Sequence, residues 1–181
     1  MDELCKVFGF GSLMADGWEK QFDCVSKERA TLNNYRRAFV KPSIKRWGSK
    51  ECPAPTLDIE LGEGAQCEGM LFSFPIENAA AVKSYLEKRE GKDFPLSEVT
   101  LSVSDDRKTS ALVAIYAGKD RIAGSPSEIV QMASKAKGQA GGGLDYINTI
   151  AATLDEQGIA DSAVAMVMAE IARLADKTPK N

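Results

Sequence analysis

The spacing of hydrophobic residues changes along the chain, and this change constrains the fold more than any other feature. Strand-like segments rich in aromatic and β-branched residues are predicted at 5–8, 30–41, 56–61, 66–74, 97–103 and 110–117. One helix is predicted between the second and third pairs of strands, from Ile76 to Glu90, with Gly91 as its C-terminal cap. The last third has helical spacing from Ser125 onwards, where one helix is predicted to end at Gly138 and a final helix to be capped by Asp161. Strands first and helices last predict an α+β fold, with a mixed, mostly antiparallel β-barrel or sheet and surrounding helices.

Glycine, proline and charged residues mark the predicted connections. A long loop is predicted over 42–55, and Gly62-Glu63-Gly64 is predicted to turn between the third and fourth strands. A further turn is predicted over 105–108, and the tail 177–181 is expected to fray. The length of 181 residues suits one domain, 1–181, with a single core.

Composition excludes several classes of function. The net charge of -3 provides no basic field for nucleic acid or an anionic membrane surface. We find neither a signal peptide nor an apolar run that could span a bilayer, and we therefore expect a cytoplasmic protein. The four cysteines are scattered and form no C-x-x-C pair, so neither a metal site nor a redox motif is predicted.

The chain contains no histidine, which narrows the possible chemistry. Ser-His and Cys-His mechanisms and histidine-ligated metal sites are excluded. An enzyme of this composition working near neutral pH needs a carboxylate, lysine, tyrosine or terminal amine as its base. We expect no cofactor.

The first candidate site is the turn Val7-Phe8-Gly9-Phe10-Gly11-Ser12-Leu13. Two glycines separated by one residue let the backbone turn sharply, so that its N–H groups can converge on a carboxylate or a developing oxyanion. A Rossmann fingerprint needs a third glycine where Met14 stands, and a P-loop needs Gly-Lys-Ser/Thr. Taken alone, the motif is more typical of a tight turn at a strand end.

The second candidate is Glu90, at the end of the predicted helix. It follows Leu86 by four residues and Val82 by eight, which places it near the apolar stripe. Partial burial and the negative end of the helix dipole both disfavour a charged carboxylate there, which suits a general base. The alternatives are an exposed side chain or an ion pair one turn away.

Arg37 and Tyr146 are weaker candidates for substrate binding. Arg37 lies in the predicted second strand, where an arginine is more often at the surface or in an ion pair. Tyr146 follows the glycine tract 141–143 and could equally line a pocket or belong to the core.

Five segments, in the same order, resemble the ChaC-like γ-glutamylcyclotransferase family. Val7 to Leu13 resembles V-F-G-Y-G-S-L, Tyr35-Arg36-Arg37-Ala38-Phe39 resembles Y-R-R-x-F, and Tyr85-Leu86-Glu87-Lys88-Arg89-Glu90 resembles Y-L-D-x-R-E. Glu68 to Phe72 resembles the strand x-G-x-x-F/Y, and Ala140 to Tyr146 is similar to the G-P-S-G-x-N-x-E-Y-L region. The resemblance extends from about Val7 to Gly158.

The resemblance implies release of 5-oxoproline from a γ-glutamyl compound, with glutathione as the family's usual substrate and Glu90 as the catalytic residue. It also implies that the turn from Val7 to Leu13 binds the substrate. Phe10 stands where the family has tyrosine, and Lys45-Arg46-Trp47-Gly48 stands where the family has H-R-G. The alternatives are a cyclotransferase acting on another γ-glutamyl amine or dipeptide, and a binding module without turnover. Small size and the expected lack of a cofactor are compatible with a monomer.

Overall fold

The structure, a computed structural model, describes residues 4–104 and 107–177. Its strands are β1 (Leu4–Gly9), β2 (Ser26–Ser43), β3 (Ala54–Pro75), β4 (Leu96–Ser102) and β5 (Lys108–Ala114). Its helices are α1 (Ala79–Glu90), α2 (Pro126–Lys135), α3 (Gly143–Glu156) and α4 (Ser162–Lys177). Short 3₁₀ turns lie at Ser12–Met14, Trp18–Phe22 and Ile76–Asn78.

The five strands form a closed barrel in the order β1-β3-β2-β4-β5. β1 is antiparallel to β3, with Leu4 opposite Pro75 and Gly9 opposite Met70. β4 is antiparallel to β5, and β1 meets β5 in parallel through Val7 and Leu112. The predicted α+β class, with a mixed and mostly antiparallel barrel, is confirmed.

The chain forms two compact units. The first comprises the described residues of Met1–Arg36 and Ile59–Lys119, and the second those of Arg37–Asp58 and Asp120–Asn181. The prediction of a single domain over 1–181 stays a prediction.

Alternating side chains of the strands form the hydrophobic core of the first unit. These inward residues are fully buried, as period-2 patterning requires of a closed sheet. The core cluster consists of Phe8, Ala30, Leu32, Ile59, Cys67, Leu71, Leu101, Val103, Ala111 and Val113. β1 therefore runs through the core and leaves it at Gly9, where the glycine turn begins.

The prediction of a turn at Gly62-Glu63-Gly64 was wrong. β3 continues as one strand from Ala54 to Pro75. Gly64 has a φ of 71°, and its N–H donates to Oδ1 of Asn34, a β2 residue that itself has a φ of 61°. Left-handed residues and a side-chain acceptor within paired strands are typical of a β-bulge, which bends a strand without ending it.

The helices follow their predicted starts closely. Ser125 caps α2 in a capping box with Glu128, and Oδ1 of Asp161 accepts the Val164 N–H at the start of α4. α2 ends at Lys135, earlier than the predicted stop at Gly138, because Ala136 is already extended. Asp105 and Asp106 of the predicted turn, and residues 178–181 of the tail, lie outside the described residues.

Within residues 4–104 and 107–177, no helix has the length and apolar character needed to cross a membrane.

Candidate active site

The glycine turn leaves the barrel at the end of β1. Val7, Phe8 and Gly9 are buried, whereas Gly11 is half-buried and Ser12 is exposed. A Cβ on Gly9 would come within 3.2 Å of both Leu13 Cβ and the Phe72 ring, so a larger residue would force these neighbours to shift by a few tenths of an ångström. The tight turn predicted at this strand end is present.

Phe10 and Gly11 differ in their surroundings. The Phe10 ring packs against the barrel core, which gives it a structural contact at the position where the family has a tyrosine. A Cβ on Gly11 would meet no atom of the described residues within 4 Å. Gly11 therefore borders open space on the side away from the core.

The far end of the turn is held by two hydrogen bonds to its backbone carbonyls. Nε1 of Trp18 donates to the Leu13 carbonyl at 3.0 Å, and Nζ of Lys27 donates to the Met14 carbonyl at 2.7 Å. Trp18 is 2% exposed, so the bond to Leu13 is shielded from water. These bonds fix the end of the turn within the first unit.

Helix α1 brings Tyr85, Arg89 and Glu90 to this turn. Val82 and Leu86 bury one face of α1, while Tyr85 and Arg89 lie one helical turn apart on an adjacent face. Gly91 ends the helix with a φ of 88°, a value that glycine adopts without strain. Glu90 is consequently the last helical residue.

Arg89 joins the glycine turn to the end of α1. Its Nη2 donates to Ser12 Oγ at 3.1 Å and pairs with Oδ2 of Asp16 at 2.5 Å, and its Nη1 donates to the Tyr85 hydroxyl at 3.1 Å. Its Nε lies 3.4 Å from Oε1 of Glu90. One guanidinium thus contacts the turn, the segment after it and the candidate base.

The charge of Arg89 is secured by its partners. Burial disfavours the cation, but the hydrogen bonds that Arg89 donates to Asp16 and Tyr85 outweigh this effect and raise the pKa of Arg89 above its ordinary value. Arg89 is therefore a cation at neutral pH.

Glu90 is mostly shielded from solvent but loosely held. Its side chain is 17% exposed. Among the described residues of the first unit, the 3.4 Å approach of Arg89 is the polar contact of its carboxylate. Within the described part of the first unit, the carboxylate is therefore neither fully buried nor held by a short hydrogen bond.

Tyr85 packs against a cluster of aromatic rings in the first unit. Trp18 also makes ring contacts with Phe72 and Phe74 at centroid distances of 5.5 and 5.4 Å, and Phe22 contacts Tyr85 at 5.2 Å. These rings are anchored in β3 and in the 3₁₀ turn Trp18–Phe22. The tyrosine hydroxyl that meets Arg89 is therefore positioned by packing.

Arg89 links the turn from Val7 to Leu13, through Ser12, to Glu90, and all of these residues belong to the first unit. Arg37 and Tyr146 belong to the second unit. Arg37 is 2% exposed and pairs with Asp161 at 3.1 Å, and the Tyr146 hydroxyl accepts the Leu57 N–H at 2.9 Å. Both contacts stabilise the second unit, and the roles of Arg37 and Tyr146 in substrate binding stay predictions.

Sequence reasoning missed Arg89, Asp16 and Trp18. Arg89 follows Tyr85 by four residues within a motif already recognised, and this spacing places the two side chains together on a helix. That signal was sufficient to find Arg89. Asp16 and Trp18 have no comparable signal, because their contacts with α1 exist only once the chain has folded.

A closed barrel of this topology, followed by three helices, is the fold of the γ-glutamylcyclotransferases. The chain belongs to the ChaC-like protein family, whose model matches residues 5–174. The resemblance predicted from the five motifs is confirmed.

Solved structures agree on the fold. Two structures of a yeast γ-glutamyl cyclotransferase specific to glutathione resemble this chain with TM-scores of 0.81 and 0.79, at 15% and 16% identity. Each covers 95% of this chain, with 97% and 99% of the yeast chains covered. A third structure, of a γ-glutamyl cyclotransferase, has a TM-score of 0.51 at 12% identity. The match covers 88% of this chain and 90% of the other chain. At these identities the likeness shows the shared fold.

Proposed function

We propose that this protein is a γ-glutamylcyclotransferase that converts glutathione into 5-oxoproline and cysteinylglycine. Membership of the ChaC-like family and the fold shared with the yeast enzyme support the reaction class. The observation that carries the proposal is the placement of the Glu90 carboxylate beside Arg89, which bonds Ser12 of the glycine turn.

The reaction suits a site without histidine. The α-amine of the γ-glutamyl group attacks its own γ-carbonyl carbon, a C–N bond closes the lactam ring, and the C–N bond to cysteine breaks. Because the nucleophile is tethered to its target, the enzyme has mainly to fold the substrate and move protons. No oxidant, reductant or second substrate is consumed.

Glu90 is proposed as both base and acid. Its carboxylate takes a proton from the α-ammonium, which frees the amine to attack, and then gives that proton to the departing nitrogen of cysteinylglycine. The second proton, lost as the attacking nitrogen becomes the lactam N–H, goes to the freed amine, which leaves as an ammonium. Backbone N–H groups of the turn from Val7 to Leu13 bind the γ-glutamyl unit. The open space beside Gly11 leaves room for it.

The test is release of 5-oxoproline from glutathione by the purified protein, measured by chromatography, with Glu90→Gln as the key variant. General acid–base assistance contributes about two to four decades of rate, so Glu90→Gln should lose at least about a hundredfold in kcat while retaining its circular dichroism spectrum. Glu87→Gln is the matched control, because Glu87 is an exposed residue of the same helix. It should retain the wild-type rate.

The same assay separates the alternatives. A faster reaction with a γ-glutamyl dipeptide than with glutathione would show that the dipeptide is the preferred substrate and would leave the proposed reaction unchanged. Calorimetric binding of glutathione without any 5-oxoproline would indicate a binding module, and a wild-type rate in Glu90→Gln would refute the assignment of Glu90.

A further inference from the structure

The four contacts of Arg89 differ in strength. The Asp16 contact, at 2.5 Å, is a short charge-assisted bond, and the contacts with Ser12 and Tyr85 at 3.1 Å are ordinary hydrogen bonds. The approach to Glu90, at 3.4 Å, is longer than any of them. Arg89 thus has Asp16 as its main counter-ion, although Glu90 is its neighbour in sequence.

The unequal strength of the contacts that Arg89 makes with Asp16 and Glu90 affects how well Glu90 can act as a base. A carboxylate bound tightly by an arginine is stabilised in its charged form and becomes a weaker proton acceptor. A carboxylate with no cation nearby keeps its basicity but has nothing to orient it. A cation that is already neutralised by Asp16 can orient Glu90 at a smaller loss of basicity.

We propose that Arg89 is a positioning residue that aims Glu90 at the glycine turn, and that Asp16 keeps Arg89 from pairing fully with Glu90. The inference rests on the proposed function, in which Glu90 moves the proton. Arg89 acts through its geometry as well as its charge, because a planar guanidinium can donate to Ser12, Tyr85 and Asp16 at once. A lysine at this position has one ammonium group and cannot reach all three partners.

Few ionisable groups face this pair. Among the described residues of the first unit, Arg89 is approached by Asp16 from the segment after the glycine turn, and by Tyr85 and Glu90 from α1. Lys88, Glu87 and Lys92 are exposed. Asp16 is therefore the residue whose substitution tests how Arg89 divides its contacts between the two carboxylates.

The first experiment compares kcat, KM and the pH profile of kcat/KM for glutathione in the wild type, Arg89→Gln, Arg89→Lys and Asp16→Asn. Misplacement of a catalytic group by about 1 Å costs on the order of a hundredfold, so Arg89→Gln should lose about that much in kcat with a smaller change in KM. Arg89→Lys should recover only a small part of the loss. Arg107→Gln is the matched control, since Arg107 pairs with Glu28 at 3.0 Å on the surface and is 54% exposed.

The sign of the pH effect follows from the contacts. Glu90 must be deprotonated to act as a base, so it sets the acidic limb of kcat/KM. In Asp16→Asn the guanidinium loses its main counter-ion and moves towards Glu90, which favours the carboxylate and should shift this limb to lower pH. Wild-type kcat and pH profile in Arg89→Gln, or an unmoved acidic limb in Asp16→Asn, would overturn the proposal.

A second readout needs no turnover. The Glu90 carboxyl carbon is titrated by ¹³C NMR in the ligand-free protein and assigned by its absence from Glu90→Gln. Its midpoint should rise in Arg89→Gln and fall in Asp16→Asn. If these midpoints move but the wild type forms no 5-oxoproline, the proposed function fails and the control of Glu90 by Arg89 and Asp16 stands. If 5-oxoproline forms and neither midpoint moves, the positioning role fails and the proposed function stands.

Discussion

Trp18 lies parallel to Tyr85, with ring centroids 5.5 Å apart and an interplanar angle of 4°. The same indole donates to the Leu13 carbonyl. One side chain therefore supports both the tyrosine that meets Arg89 and the last residue of the glycine turn.

Trp18→Phe should destabilise the protein and slow the reaction. The change leaves the shielded Leu13 carbonyl without its donor, which costs about 1–3 kcal/mol. The free energy of unfolding is measured in urea, and kcat in the 5-oxoproline assay. Trp47→Phe also removes an indole, but from the second unit, and should leave kcat unchanged. Equal kcat values in Trp18→Phe and the wild type would contradict the role of Trp18.

Gly69→Ala should lower the stability of the protein, whereas Gly11→Ala should change only its affinity for the substrate. A Cβ on Gly69 would lie 2.4 Å from the Gly9 carbonyl oxygen and 2.7 Å from the Phe8 ring, so β3 must shift away from β1. Overpacking of this kind costs about 1–3 kcal/mol in unfolding free energy.

A Cβ on Gly11 meets open space, so Gly11→Ala should unfold like the wild type and raise KM for glutathione. Urea titrations and initial-rate kinetics on both variants measure the contrast. An unchanged KM in Gly11→Ala would show that substrate does not occupy this space.

Arg36 and Arg37 are adjacent but should differ sharply in their contribution to stability. The Arg37 side chain is 1% exposed and pairs with Asp161, whereas that of Arg36 is 63% exposed and pairs with Glu60. Removing one partner of a buried ion pair costs about 3–5 kcal/mol, and an exposed pair contributes about 1 kcal/mol or less.

Arg37→Met should therefore lower the free energy of unfolding in urea far more than Arg36→Met does. Similar losses in the two variants would show that burial of the pair does not matter. A rise in KM for Arg37→Lys, beyond any change in stability, would support the predicted role of Arg37 in substrate binding.

Cys24 should react slowly with thiol reagents in the folded protein. Burial disfavours the thiolate more than nearby backbone donors favour it, so the pKa of Cys24 is raised above the ordinary value of 9.0. Below that pH the folded protein holds a smaller thiolate fraction than the unfolded chain does, and the thiolate is the reactive form.

The alkylation rate of Cys24 by iodoacetamide, followed by peptide mass spectrometry, should half-saturate at a higher pH in buffer than in urea. The associated stability is present below the unfolded pKa and is lost as the pH rises towards the folded one. Matching pH profiles in the two solvents would contradict the shift.

The sequence was sufficient to predict those parts of the fold that depend on local pattern. The glycine turn after β1, the helix ending at Gly91 and the cap at Asp161 each depend on a few neighbouring residues. The predicted turn at Gly62 to Gly64 failed because glycine favours a bulge as readily as a turn. Whether this segment turns or bulges is decided by its pairing with β2, where the partner residue Asn34 lies 30 residues from Gly64.

The candidate site also combines features that the local sequence predicts with features that depend on distant residues. Glu90 was predicted from its helical position, and its side chain is indeed mostly shielded. Its contact with Arg89, and the pairing of Arg89 with Asp16, were not predicted, because Asp16 and Arg89 are 73 positions apart and only the folded barrel brings them together. Arg37 was weighed as surface or ion-paired, and the pair it makes with Asp161 is buried.

The abrupt end of α1 at Gly91 bears on which sequence changes the family can tolerate. Each residue added to or removed from a helix rotates all that follows by about 100°, because an α-helix has 3.6 residues per turn. A single insertion between Ala79 and Glu90 would therefore swing Glu90 away from Arg89's other partners, even if every side chain were kept. Substitutions that keep this geometry should be tolerated, whereas deletions and insertions within this helix should be selected against. The length of α1 is thus expected to vary less among relatives than its composition.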